Sequence, residues 1–227
     1  IESIDADTIY GVPMQMQQEG LDTICLELLE MDKGKEPVLD NWKEFLNKLR
    51  YPKSKVTVGL IGKYVELQDA YKSILEAFIH AGAMNECKVE VKNIHSEHLA
   101  PDTVEEKLAN LDAILVAPGF GSRGIDGKIE AIRYARENNI PFFGICLGMQ
   151  MAVVEFAQNV LGYKDAYSTE MKKDTPYPVI HLMEEQKDVQ NFGGTMRLGK
   201  YACELTPDSK MAAIYGTTRI EERHRHR

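Results

Sequence analysis

Cysteine is scarce in this chain and never paired. Its four copies, Cys25, Cys87, Cys146 and Cys203, lie far apart with no C-x-x-C spacing. That spacing excludes a disulfide framework and the usual thiolate zinc site, so no metal is expected. No run approaches the roughly 20 apolar residues that cross a bilayer. The first residues show no signal-peptide pattern, and reduced thiols fit a cytoplasmic home. Positive charge is also short: 27 Lys and Arg against 35 Asp and Glu leave a net −8, so no global field draws in nucleic acid or an anionic membrane. Against these absences stands an ordinary globular balance of 44% apolar and 27% charged residues. Over 227 residues it suffices for one large domain, or a domain with an appendage.

Two compositions divide the chain. Residues 1–31 read as two short helices, 7–18 and 21–31, separated by Glu19-Gly20. A polar stretch from Asp32 to Pro37 reads as a linker. Asp40 or Asn41 is expected to cap a helix whose Trp42, Phe45, Leu46 and Leu49 follow the 3.6-residue period. From Val56 onward, strand-like runs at 56–61, 88–94, 113–117 and 141–145 alternate with amphipathic helices at 69–80, 104–111 and 128–137. This rhythm predicts an α/β fold: an open, mostly parallel sheet with helices on both faces and right-handed crossovers. Ligands of such sheets bind beyond the carboxyl ends of the strands. After Ser168 the pattern loosens into a Pro- and charge-rich stretch, followed by Gly193–Gly199.

Gly144-Ile145-Cys146-Leu147-Gly148-Met149-Gln150 is the most telling segment. It joins a short apolar strand to a helix, and glycines flank its cysteine two residues away on each side. That is the thiol form of a nucleophile elbow. A thiol at a helix N-terminus meets unpaired N–H groups and the positive end of the macrodipole, which favour the thiolate. Cys25, Cys87 and Cys203 have no such setting and are expected to be small buried hydrophobes. The loop from Ala117 to Gly124 follows another apolar strand. Gly119 can bring its backbone N–H close to a developing oxyanion, and the N–H of Leu147 is the natural second donor. Gln150 would sit on the first turn of the elbow helix, facing the same crevice. Gly62-Lys63-Tyr64 is only weakly suggestive of phosphate binding, because the P-loop spacing is missing. His80, His95, His98 and His181 have no convincing catalytic setting.

With these motifs the chain resembles the C-terminal part of the CTP synthase family, including its class I glutamine amidotransferase domain, a flavodoxin-like fold. The carriers are Gly62–Tyr71, Gly119–Gly124, Gly144–Gln150, Asn159–Gly162, Ser168-Thr169-Glu170, Gly193–Gly199 and Glu222–Arg227. The resemblance implies a ligase whose glutaminase part uses Cys146 as nucleophile, with Gly119 and Leu147 as oxyanion donors. Gln150, Glu170 and Arg227 would hold the α-amino and α-carboxylate groups of L-glutamine, alongside Gly119 and Leu147. Phe120, Arg123, Thr195 and Arg197 would belong to the region where GTP acts as allosteric activator. It further implies a synthetase domain that binds ATP, Mg²⁺ and UTP and receives the ammonia for pyrimidine nucleotide biosynthesis, with no cofactor in the glutaminase part itself. The full protein is expected to be a homotetramer. On this resemblance, residues 1–31 are the tail of the synthetase domain, 32–54 the linker, and 55–227 the amidotransferase domain.

Two departures accompany the resemblance. The oxyanion loop reads Ala117-Pro118-Gly119-Phe120-Gly121 where the family usually writes Pro-Gly-Gly-Phe-Gly. A His-Pro-Glu motif that carries the family's catalytic base does not occur in these residues, and His224 and His226 do not replace it. The chain is therefore expected to be a fragment, truncated at both ends and nearly inactive alone. Two other readings stay open: a non-catalytic regulatory module of the same fold, and a different class I glutamine amidotransferase.

Overall fold

A computed structural model describes residues 1–2, 4–32, 34–182 and 197–226. The N-terminal part holds a 3-10 turn (Ile9–Gly11), α1 (Val12–Gln18), α2 (Leu21–Leu28) and α3 (Asp40–Arg50). Four strands then form one sheet: β1 (Ser54–Gly62), β2 (Cys87–His95), β3 (Ala113–Val116) and β4 (Phe142–Gly144). Their order is β2-β1-β3-β4 and every pairing is parallel, as the apolar runs and intervening helices require. The crossovers are α4 (Lys72–Met84), α5 (Val104–Leu108) and α6 (Ile125–Glu137), and α7 (Leu147–Asn159) follows β4.

Side-chain alternation along the strands gives the sheet two apolar faces. Val58, Leu60, Leu115 and Ala117 pack with Ile74, Leu75 and Phe78 of α4. Ile61, Ile94, Ile114 and Val116 join Leu108, Ile129, Ile132, Met151 and Val154 of α5, α6 and α7 on the other side. The expected α/β architecture, with helices on both faces, is present. The order reverses between β1 and β3, so the crevice beyond their carboxyl ends is the switch point of the fold.

Beyond α7, β5 (Ala166–Ser168) and β6 (Tyr177–Ile180) make a short parallel pair beside that helix. β7 (Arg197–Glu204) and β8 (Arg219–His226) form an antiparallel hairpin with α8 (Lys210–Tyr215) between them. The N-terminal part is fastened to α4 by an aromatic cluster. Trp42 Nε1 donates to the Tyr10 carbonyl at 2.8 Å, and the Tyr10 hydroxyl meets Glu76 and, at 2.8 Å, His80 Nε2.

Several boundaries differ from the sequence expectations. Leu39, not Asp40 or Asn41, is the N-cap of α3, which makes Asp40 its first helical residue, where its charge still suits the macrodipole. The helix expected from residue 69 opens as a 3-10 turn (Gln68–Tyr71) and only then becomes α4, which runs on to Met84. α5 stops at Leu108 because the chain turns out of helix there, with Asn110 at φ 62°. α6 begins three residues earlier than the apolar period alone suggests, on a left-handed Gly124. Cys25 and Cys203 are exposed and Cys87 is half-buried, contrary to the expected burial. Cys25 sits on α2, which buries none of its residues, so no core is available to it.

Candidate active site

The elbow is built by close backbone approach. β4 lies against β3, and Ile145 N–H donates to the Val116 carbonyl at 3.1 Å, carrying the strand alignment one residue past β4. The chain then turns at Cys146, whose φ of 52° and ψ of −106° are left-handed for a residue bearing a Cβ. Strain of this kind costs on the order of 1–3 kcal/mol and persists only where the surroundings over-determine it. Here the surroundings are explicit. A Cβ on Gly148 would lie 2.2 Å from the Val116 carbonyl oxygen, and one on Gly144 would lie 2.6 Å from the backbone of Gly148 and Met149. Neither position tolerates a side chain, so both glycines are demanded by contact.

Cys146 is the N-cap residue of α7 and is half-buried. Leu147 is the first helical residue, so its N–H has no intrahelical acceptor. Gln150 lies one turn on, half-buried, its N–H donating to the Cys146 carbonyl at 3.0 Å. The Gly119 loop leaves the end of β3 beside this turn: a Cβ on Gly119 would touch Leu147 Cδ2 at 3.6 Å. Gly119 and Leu147 are thus brought together around the elbow.

Two lysines that the sequence reading did not assign to this site hold that loop. Lys128 on α6 is 0% exposed and its Nζ donates to the Ala117 carbonyl at 2.9 Å. Lys63, at the end of β1 and 7% exposed, donates from Nζ to the Phe120 carbonyl at 2.6 Å. Burial pulls both ammonium groups below the usual lysine range, Lys128 to about 8, and their mutual repulsion deepens the Lys128 shift. Lys63 therefore has an internal carbonyl as partner. A lysine at the first position of the helix expected over 128–137 gave no signal of its depth; only the tertiary packing of α6 shows it.

Phe120 stands 62% exposed at the mouth of the crevice. Arg123 lies over the Tyr64 ring at 4.9 Å and reaches Glu97 at 3.5 Å. Glu170 follows β5 in an exposed turn, its N–H donating to Ser168 Oγ at 3.3 Å. Arg197 opens β7, and Thr195 and Arg227 fall outside the described residues. Of the histidines whose side chains are described, His80, His95, His98 and His181, none is hydrogen-bonded to Cys146. His80 joins the Tyr10 cluster, and His95 stacks on His98 with ring centroids 4.8 Å apart.

A half-buried thiol at a strained strand-to-helix turn, beside the Gly119 loop, suits nucleophilic attack on an amide carbonyl. The family model for class-I glutamine amidotransferases matches residues 66–227. The CTP synthases of Flavobacterium johnsoniae and Cytophaga hutchinsonii are 63% and 64% identical to this chain over 227 residues, all of it, and 42% of each relative. That of Carboxydothermus hydrogenoformans is 52% identical over the same span. The chain therefore covers about two-fifths of the length of these curated relatives. The solved glutaminase domain of Trypanosoma brucei CTPS with bound acivicin matches at a TM-score of 0.69 and 37% identity, covering 76% of this chain and 67% of that one.

Proposed function

The chain belongs to the class-I glutamine amidotransferase family, and on that premise we propose that it is the glutamine-hydrolysing part of a CTP synthase. The observation that carries this reading is the left-handed Cys146 between two glycines that contact leaves no room to replace, beside the Gly119 loop. The Cys146 thiolate attacks the side-chain amide carbon of L-glutamine, and the displaced π pair moves onto oxygen. The N–H groups of Gly119 and Leu147 receive that oxyanion. On collapse the C–N bond breaks, the nitrogen takes a proton and leaves as ammonia, and a γ-glutamyl thioester remains. Water then cleaves the thioester to glutamate and returns the thiol.

Gln150, Glu170 and Arg227 are proposed to hold the α-amino and α-carboxylate groups: a carboxylate suits the ammonium, and a guanidinium suits the carboxylate. Phe120, Arg123, Thr195 and Arg197 form the proposed region for GTP, which an exposed aromatic ring and guanidinium groups favour. The ammonia passes to a synthetase domain of the same protein, where ATP and Mg²⁺ activate UTP, within a cytoplasmic homotetramer. That the similar Trypanosoma brucei glutaminase domain was solved with acivicin bound supports a glutamine-like ligand for this domain.

The test is a coupled assay of UTP amination on the complete protein. Cys146→Ala is expected to abolish amination driven by glutamine, by at least about a thousandfold, and to leave amination driven by added ammonia intact, because free ammonia bypasses the thioester. Equal glutamine-driven rates in parent and variant would reject the nucleophile and favour a non-catalytic module. Absence of UTP amination from either nitrogen source would favour a different amidotransferase.

A further inference from the structure

Gly62–Tyr71 is one of the motifs that mark the chain, and the proposed chemistry gives it no task. The segment leaves the carboxyl end of β1, the strand beside β3, and so enters the crevice at the switch point of the fold. Its contacts form a chain from the core to the oxyanion loop. Tyr71 is buried in the apolar cluster with Val58, Leu60 and Leu115. Its ring closes on Gly62, where a Cβ would come 2.8 Å from Tyr71 Cζ. The Tyr71 hydroxyl accepts the Lys63 N–H at 3.1 Å. Lys63 in turn donates from Nζ to the Phe120 carbonyl at 2.6 Å. The next ring along, Tyr64, carries Arg123 of the same loop at 4.9 Å.

Phe120 directly follows Gly119, and on the other side Lys128 takes the Ala117 carbonyl at 2.9 Å. Gly119 therefore lies between two gripped carbonyls, close enough to the elbow that a Cβ on it would touch Leu147. A glycine has no Cβ to restrict its backbone, so the direction of its N–H depends on how its neighbours are held. Lys63 is 7% exposed, and its hydrogen bond goes to a neutral carbonyl. Burying an ammonium on such a partner is costly. Hydrocarbon of similar length would fill the space without that cost, so filling alone does not account for the lysine.

We propose that Lys63 is a positioning residue for the oxyanion donor: aimed by Tyr71 across Gly62, it pins the Phe120 carbonyl and so fixes the Gly119 N–H over the elbow. The proposal rests on the reading of Cys146 as nucleophile and Gly119 as donor. Two reactions of the same thiol test it in the complete protein without added nucleotide. Glutamine hydrolysis passes through an oxyanion and needs the donor. Alkylation of Cys146 by iodoacetamide displaces iodide at a saturated carbon and does not. In Lys63→Met, kcat for glutamine hydrolysis is expected to fall roughly 10- to 100-fold with KM within about twofold, because the donor is needed most in the transition state. Tyr71→Phe keeps the ring on Gly62 and loses only the hydroxyl, so a smaller fall of roughly three- to tenfold is expected. In both variants the alkylation rate at Cys146, read by mass spectrometry of its peptide, is expected to stay at the parental value. Circular dichroism reports the fold, and Tyr71→Phe decides alone should Lys63→Met fail to fold. A parental kcat in either folded variant overturns the proposal. So does alkylation that falls in step with kcat, since the change would then act on the thiol and not on the oxyanion. Failure in either of these ways leaves the loss in Cys146→Ala standing, whereas a parent that hydrolyses no glutamine rejects the proposed function and this role with it.

Discussion

At position 148 the Val116 carbonyl oxygen stands where any Cβ would go, 2.2 Å away. Gly148→Val must therefore push α7 from β3 and relax the turn at Cys146. We expect Cys146 labelling by a glutamine-mimicking electrophile to fall at least a hundredfold, since a displacement of about 1 Å costs that much. Unchanged labelling would contradict the strained-turn account. Lys128 gives a second prediction at this scale, one of stability. Its folded pKa, about 8, lies below the value of 10.5 for a solvated lysine. Between those values the unfolded chain binds more protons than the folded one, so stability rises as pH climbs through the window. Below about pH 8 the buried charge costs on the order of 3 kcal/mol, against which the bond to Ala117 gives back about 1 kcal/mol. Lys128→Met should match or exceed the parent's melting temperature at pH 7 and lose the parent's relative gain between pH 8 and 10. A lower melting temperature for the variant across that range would mean that the lysine is kept for stability.

Among the helices, α6 and α7 are joined by one ion pair across their packed faces. Glu155 is 1% exposed and receives Arg136 Nε at 3.1 Å and Nη2 at 2.8 Å, with Asn159 Nδ2 also donating to it at 3.1 Å. Glu155→Ala leaves the guanidinium without its buried partner. The expected loss is about 2–4 kcal/mol, toward the low end of values for buried pairs because Arg136 is a third exposed. Urea denaturation measures it, and a loss below about 0.5 kcal/mol would show that the pair does not hold the two helices together. The sequence was legible at this scale wherever periodicity and apolar runs agreed: β1 and β2 extend the expected runs by one or two residues at each end. It was less legible where turn chemistry decides, as at the 3-10 entry to α4 and the left-handed start of α6 at Gly124. The site divides the same way. Cys146, Gly119, Leu147 and Gln150 could be read from local spacing, since one turn and one loop carry them. Lys63 and Lys128 could not, because their role depends on which carbonyl lies above them once the sheet is assembled.

Over the whole molecule, the N-terminal helices and the parallel sheet meet at the Tyr10, Trp42, Phe45 and His80 rings, with Tyr10–His80 centroids 5.1 Å apart. Burial and the carboxylate of Glu76 push the Tyr10 hydroxyl up to about 12, which keeps it a neutral donor. Trp42 is the only tryptophan and so reports on that junction alone. Its fluorescence and far-ultraviolet dichroism should lose their folded signals at the same urea concentration if the two parts unfold together; two separated midpoints would show that the junction opens on its own. The central claim, however, concerns one thiol. It is tested most directly by treating the complete protein with acivicin and mapping the adduct by mass spectrometry. The expected result is a single modification at Cys146 that excess glutamine suppresses. An adduct at Cys25, Cys87 or Cys203 with Cys146 untouched would contradict the account.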